Sequence, residues 1–370
     1  MKKTILFCFL MVALSTTGFS QLTVPPDGGN KKAMVGERIG ITDVTIHYDR
    51  PAVKGRDGKI WGGLVHAGYS DQGFGTSKAA PWRAGANENT TIEFSTDVKI
   101  EGQPLSAGKY GFFIAYDANE CTIIFSKNNT SWGSFFYMEG EDALRVKVKP
   151  VPLDKSVERL KYEFMDETEN SAKVALLWEK LSIPFKVEVE LDKLQFESFR
   201  RELRSEKSFN PGWQSYHQAA RYAADKNINL EEGLVWAEQA ISATFVGEAN
   251  FQTLSTKADI LAKLGRVKEA DTLMKKALSM GTMQQIHQYG RQLMFNKRNK
   301  EALEVFSLNY QKYPNQFTTL MGMTRGNSAM GDFKTALKYA NLALALAPDQ
   351  ANKSFLQSAI DKLKAGKDIN

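Results

Sequence analysis

Cysteine and histidine are the scarcest reactive residues in this chain, with two and four copies among 370 residues. Cys8 falls inside an apolar run near the start, which leaves Cys121 alone in the rest of the chain. A single thiol excludes both an internal disulfide and a thiolate metal cluster there. Set between Glu120 and a Thr-Ile-Ile-Phe run, Cys121 reads as a core residue rather than a nucleophile. His47, His66, His217 and His287 are isolated, with no HExxH frame and no pair at helical spacing, so no metal site and no cofactor is expected. GxSxG is absent too. The Gly73-Phe74-Gly75-Thr76-Ser77-Lys78 run lacks the last glycine and the strand-to-helix setting of a phosphate loop, and reads as a flexible insertion. Apolar runs of bilayer length are also missing, since Ile5 to Leu14 is too short to span. With Lys2 and Lys3 before it and Gly18-Phe19-Ser20 after it, that run reads as a signal peptide over residues 1–20. The expectation is an exported protein, periplasmic or extracellular, beginning at Gln21 with no membrane span after signal removal.

What is present is ordinary globular composition, 42% apolar and 24% charged, at a length that suits two domains. The formal charge of +6 falls to +4 without the signal and is uneven. Gln21 to Gln195 carries 22 basic and 25 acidic residues, whereas Phe196 to Asn370 carries 24 and 17. No basic stripe is interleaved with aromatics, so a nucleic-acid partner is not expected.

From Val35 to about Leu191 the pattern has period 2, in short runs separated by Gly, Pro, Asn and Asp clusters. Leu144, Val146 and Val148 alternate with Arg145, Lys147 and Lys149, and Leu160 to Phe164 and Phe185 to Val189 repeat the alternation. Less regular runs cover Ile39 to Tyr48, Thr91 to Phe94, Tyr110 to Ala115, Thr122 to Ser126 and Lys173 to Trp178. About nine or ten short antiparallel strands without intervening helices predict an all-β sandwich or open barrel domain over residues 21–192. Several motifs carry a resemblance in this half: Asp49-Arg50-Pro51-Ala52-Val53-Lys54-Gly55-Arg56, Ile60-Trp61-Gly62, and Trp82-Arg83-Ala84-Gly85-Ala86-Asn87-Glu88-Asn89-Thr90-Thr91. Leu105-Ser106-Ala107-Gly108-Lys109-Tyr110 and Leu176-Leu177-Trp178 extend it. Together they resemble the bacterial family known as domain of unknown function 2911. The resemblance implies a secreted β domain and no assigned activity. His66 to Lys78 departs from that pattern by lengthening the connection before Trp82.

After a helical connector over residues 193–210 the period becomes that of amphipathic helices. Glu269-Ala270, Glu301-Ala302 and Thr335-Ala336 recur 32 and 34 residues apart, each after a turn: Leu264-Gly265-Arg266, Lys297-Arg298-Asn299 and Met330-Gly331-Asp332. Pro314 and Pro348 are again 34 apart. These units resemble tetratricopeptide repeats, so an all-α tetratricopeptide-like solenoid is expected over residues 211–370, with about four helix pairs and a last capping helix to Lys364.

Two readings of the polar β-domain residues stay open. In the first, Arg50, Lys54, Arg56, Trp82, Arg83, Asn87 and Glu88 gather at one end of the sandwich and bind a small polar or anionic ligand, with guanidinium forks on oxygens and a sugar-like face on indole. In the second they pin loops: Arg50 and Arg83 pair with Asp49 and Glu88, and the tryptophans fill the core. No catalytic residue is assigned. The sequence favours a non-catalytic binding or scaffold protein whose β domain docks on an envelope component and whose repeats bind a protein or peptide. The competing possibility is a cell-envelope hydrolase using Glu88 with Arg83 and Asn87, its second carboxylate being Asp49, Glu93 or Glu101.

Overall fold

The computed structural model describes residues 29–370; the expected signal peptide lies outside them. By backbone proximity the chain falls into two units, dividing at Gln195/Phe196.

In the first unit ten strands form two antiparallel sheets. Strands β1 (Lys31–Ile39), β2 (Thr42–Arg50), β3 (Thr91–Phe94), β6 (Gly108–Ala115), β7 (Cys121–Ser126) and β8 (Asp142–Val148) lie side by side in the order β1-β2-β3-β6-β7-β8. The second sheet runs β5 (Gln103–Leu105), β4 (Val98–Ile100), β10 (Ser171–Glu188), β9 (Val151–Met165). The expected single run from Ile39 to Tyr48 is corrected here: it is a hairpin that turns at Gly40-Ile41, with Ile39 paired to Thr42 and Gly40 at φ +59°. The β pattern also begins earlier than Val35, at Lys31, because the solvent-facing edge strand β1 keeps only a thin apolar stripe. One core joins the sheets, with Phe112, Phe125 and Phe185 in contact at one place and Trp61, Trp82, Tyr116 and Trp178 at another. Trp82 stacks on Trp178 at 6.0 Å, and Trp61 meets both edge-on. Cys121 is fully buried in this core, where desolvation pushes its thiol up and away from reactivity.

Helix α1 (Leu191–Glu202) follows, then four helix pairs: α2 (Trp213–Lys226) with α3 (Leu230–Ser242), α4 (Phe251–Lys263) with α5 (Val267–Met280), α6 (Met283–Phe295) with α7 (Asn299–Lys312), and α8 (Phe317–Ala329) with α9 (Phe333–Ala345). A last helix, α10 (Gln350–Lys364), packs on α9. This is the tetratricopeptide-like arrangement expected. Its punctuation is local: directly after the first helix of every pair a left-handed residue breaks the helix, in turn Asn227 (followed by Asn229), Gly265, Lys297 and Gly331. Asn250 and Thr282 close capping boxes with Thr253 and Gln285 at the starts of α4 and α6. Ala270, Ala302 and Ala336 are buried on the second helices, where a small side chain lets two helices approach. First helices pack on one another, α2 with α4 and α6 with α8, more closely than successive second helices do, so the first helices line the inner, tighter face.

Candidate functional site

Within the β unit the polar residues singled out by sequence divide into two groups. Arg50 donates from Nε to the Leu160 carbonyl at 2.8 Å. Arg56 folds back on its own turn, donating to the carbonyls of Val53 at 2.9 Å and Ala52 at 2.6 Å. Lys54 holds a left-handed backbone while its amide donates to Glu158. Trp82 is buried, and its backbone bridges Ile114 in both directions. These four serve the architecture.

Arg83, Asn87 and Glu88 occupy the loop before β3. The Arg83 guanidinium sits beside the stacked Trp132–Phe135 pair, 5.2 and 5.1 Å from their ring centres, and donates to the Asn87 carbonyl at 2.7 Å. Burial pushes its proton affinity down, and the two aromatic faces offset part of that cost. Arg83 therefore faces away from Glu88's partners. Asn87 is left-handed, its Oδ1 accepts from the Asn30 side chain at 3.4 Å, and its amide lies near enough to Asp49 to favour that carboxylate. Glu88 meets the Lys32 ammonium of β1 at 2.9 Å, which holds its carboxyl below the usual range. Asp49, near the end of β2, is 4% exposed, lies close to Glu88 and keeps Oδ1 without a partner. Burial first, and the Glu88 carboxylate after it, push the Asp49 carboxyl up, while Lys32 holds Glu88 down, so the two neighbouring acids are moved in opposite directions. Glu93 and Glu101 do not join: Glu93 sits in β3, and Glu101 accepts from the Lys186 amide. His66 has both ring nitrogens enclosed and unpartnered, and His47 lies within β2. Among the described residues no group of three His, Cys, Asp or Glu side chains is placed to hold a metal ion.

The helical unit contains a site that the sequence reading did not single out. Between α4 and α6, which stay farther apart than the other successive first helices, a hollow of about 360 Å³ opens on the inner face. Gln252, Gln285, Gln288, Gln292 and Asn296 line it over an apolar floor that includes Ala258 and Met274. Carboxamides carry a donor and an acceptor on one group and so match an extended peptide backbone. A larger groove of about 620 Å³ runs among α3, α4 and α5 beneath Val235 and Leu273, but Glu238 is already ion-paired with Lys257 and Glu269 with Arg266.

Residues 30–187, close to the β unit, match the family model described as "Protein of unknown function (DUF2911)". Among solved structures the chain is similar to a tetratricopeptide repeat protein from Parabacteroides merdae, at 14% identity over 46% of this chain and 65% of that one, with a TM-score of 0.32. It is similar also to YrrB, titled a TPR protein with an unusual peptide-binding site, at 17% identity, 45% and 83% coverage and a TM-score of 0.29. MamA from Desulfovibrio magneticus RS-1 gives 17% identity, 42% and 88% coverage and a TM-score of 0.28. No curated protein matches.

Proposed function

We propose that this chain is an exported, non-catalytic scaffold. Its helical array takes a peptide or protein segment across the inner face, and its β unit docks on an envelope component or a small polar ligand. The amide-lined hollow between α4 and α6 carries the reading, because the side chains of Gln252, Gln288, Gln292 and Asn296 are not taken up by hydrogen bonds among the described residues, whereas Gln285 caps α6. Export is supported by the Lys2-Lys3 start, the short apolar run and the lone Cys121. A photo-crosslinking amino acid at Gln288 of the full chain tests the main claim in cells that express it. A discrete adduct is expected there and not from Lys275 on the second helix α5. Equal labelling from both positions sinks the recruiting role.

One observation favours a second reading, a hydrolase centred on the β unit: Asp49 is the second carboxylate brought to Glu88. Against it, Asp49 is shut away from solvent and Arg83 is committed to Trp132 and Phe135. Turnover of envelope polysaccharide by the full chain that Glu88→Gln abolishes would establish this reading over the scaffold.

A further inference from the structure

The ninth residue of each first helix falls in one line along the inner face: Arg221, Asp259, Arg291 and Arg325. The first two are neutralised within their own helix, Arg221 by Asp225 at 2.7 Å and Asp259 by Lys263 at 3.6 Å. One turn on, α6 and α8 offer only Phe295 and Ala329, so Arg291 and Arg325 have no such partner. Arg291 is exposed and has no ion pair among the described residues. Arg325 is half-buried, with its guanidinium 5.1 Å from the Phe355 ring centre and one donor on the Asn370 side chain at 3.3 Å. Asp368 acts on it without an ion pair, and the Asp368 Oδ1 is taken up by Ser328 and the backbone amides of Ile369 and Asn370.

His287 lies one turn before Arg291 on α6 with Nδ1 buried and unpartnered. Gly322 of α8 faces it: a Cβ there would stand 3.3 Å from Nδ1 and 2.7 Å from the Phe306 ring, so glycine is what keeps room beside the imidazole. Burial, then Arg291 and Arg325, push His287 down to about 4, which keeps it neutral and able to donate one ring proton. A half-buried guanidinium, pressed by a second one and short of acceptors, is an arrangement that an anion relieves.

We infer that Arg291, Arg325 and His287 form a seat for a carboxylate of an acidic peptide laid along the inner face. The peptide source follows from the neighbouring amides, since Gln288 and Gln292 flank Arg291 on the same helix and supply backbone partners that a free inorganic anion does not use. The formal excess of 24 basic over 17 acidic residues in this half steers the same partner. The inference rests on the recruiting role proposed above and names the chemistry of its partner.

Fluorescence anisotropy of the full chain with a labelled hexaglutamate peptide tests it, with hexaglutamine as the neutral control. Hexaglutamate is expected to bind more tightly than hexaglutamine, and Arg291→Gln with Arg325→Gln to weaken it by at least about tenfold, the size of a lost charged hydrogen bond. Arg291→Glu alone, at an exposed position, gives the same direction should the double variant fail to fold. Unchanged hexaglutamate binding in either variant overturns the seat. Release of the peptide by sulfate, but not by chloride at equal ionic strength, overturns the peptide assignment in favour of a bare-anion site. A Gln288 adduct that persists while hexaglutamate binding is insensitive to both variants leaves the recruiting role standing and removes the seat; absence of any adduct removes the recruiting role itself.

Discussion

Polar side chains in the two units are used in opposite ways. In the β unit the residues that look most like a site are consumed by the fold: Arg50 and Arg56 end on backbone carbonyls, and Arg83 is held against the stacked Trp132 and Phe135 rings. In the helical unit the corresponding features look unremarkable in sequence, yet Arg291, His287 and the glutamines around Gln288 keep unused hydrogen-bonding capacity on one face. The cause lies in how each core is closed. A two-sheet sandwich must tie long irregular loops down over one aromatic core, and backbone groups in such loops need partners. Helix pairs satisfy their own backbone and bury small cores of alanine, leucine and aromatics, which leaves the inner face free for other groups. A polar cluster dense in sequence therefore argues for loop pinning in the first unit, whereas a sparse periodic one argues for binding in the second.

The largest test of this contrast is Trp178→Ala. Trp178 is 1% exposed and in contact with both Trp61 and Trp82, so its loss opens a cavity in the main core between the two sheets. A destabilisation of about 3–5 kcal/mol is expected in urea denaturation followed by near-ultraviolet circular dichroism. A loss under about 1 kcal/mol would mean that the core is not the one continuous cluster described.

Next comes a matched pair of arginines. Arg83→Met removes two cation–π contacts and the bond to the Asn87 carbonyl, for an expected cost of about 1–3 kcal/mol. Arg291→Gln removes no intramolecular partner and is expected to change stability by no more than about 0.5 kcal/mol. Thermal denaturation of both variants compares a consumed arginine with an unused one. Equal effects would erase the distinction between the units.

Legibility followed range in sequence. Helix pairs announce themselves within one repeat, through the left-handed turn at Gly265 or Gly331, the alanine one turn later and the 34-residue return of proline. Most strands were readable from alternation, but β1 was not, because Lys31 to Glu37 faces solvent on both sides of a thin stripe and Met34 is exposed. The site geometry was the least readable part. Lys32 and Glu88 are 56 residues apart, and no local pattern sends Arg83 toward Trp132 rather than toward Arg50. One missed signal was present: Arg291 and Arg325 are 34 residues apart, the same interval as Pro314 and Pro348, which places them at equivalent points of successive units.

The smallest expected effect concerns the Asp49–Glu88 pair, a place in the β unit where, as at His66, polar capacity is left over. Asp49 is held above the ordinary carboxylate range by burial and by Glu88, so its ionisation opposes folding. Its favourable contribution is full below the unfolded value of about 3.9 and is lost as pH rises through the raised folded value. Glu88 runs the other way: held low by Lys32, it contributes above its unfolded value of about 4.3 and loses that contribution as pH falls through the depressed one. Asp49→Asn keeps a polar group of the same shape and removes only the ionisation. The variant is expected to melt about 1–3 °C above the parent at pH 7 and to match it near pH 3, as followed by circular dichroism. A variant that melts below the parent at pH 7 would show that the Asp49 carboxylate is stabilised by a partner such as Lys32. Asp49 would then be consumed by the fold like Arg50 and Arg56, and the second, hydrolytic reading would lose its raised acid.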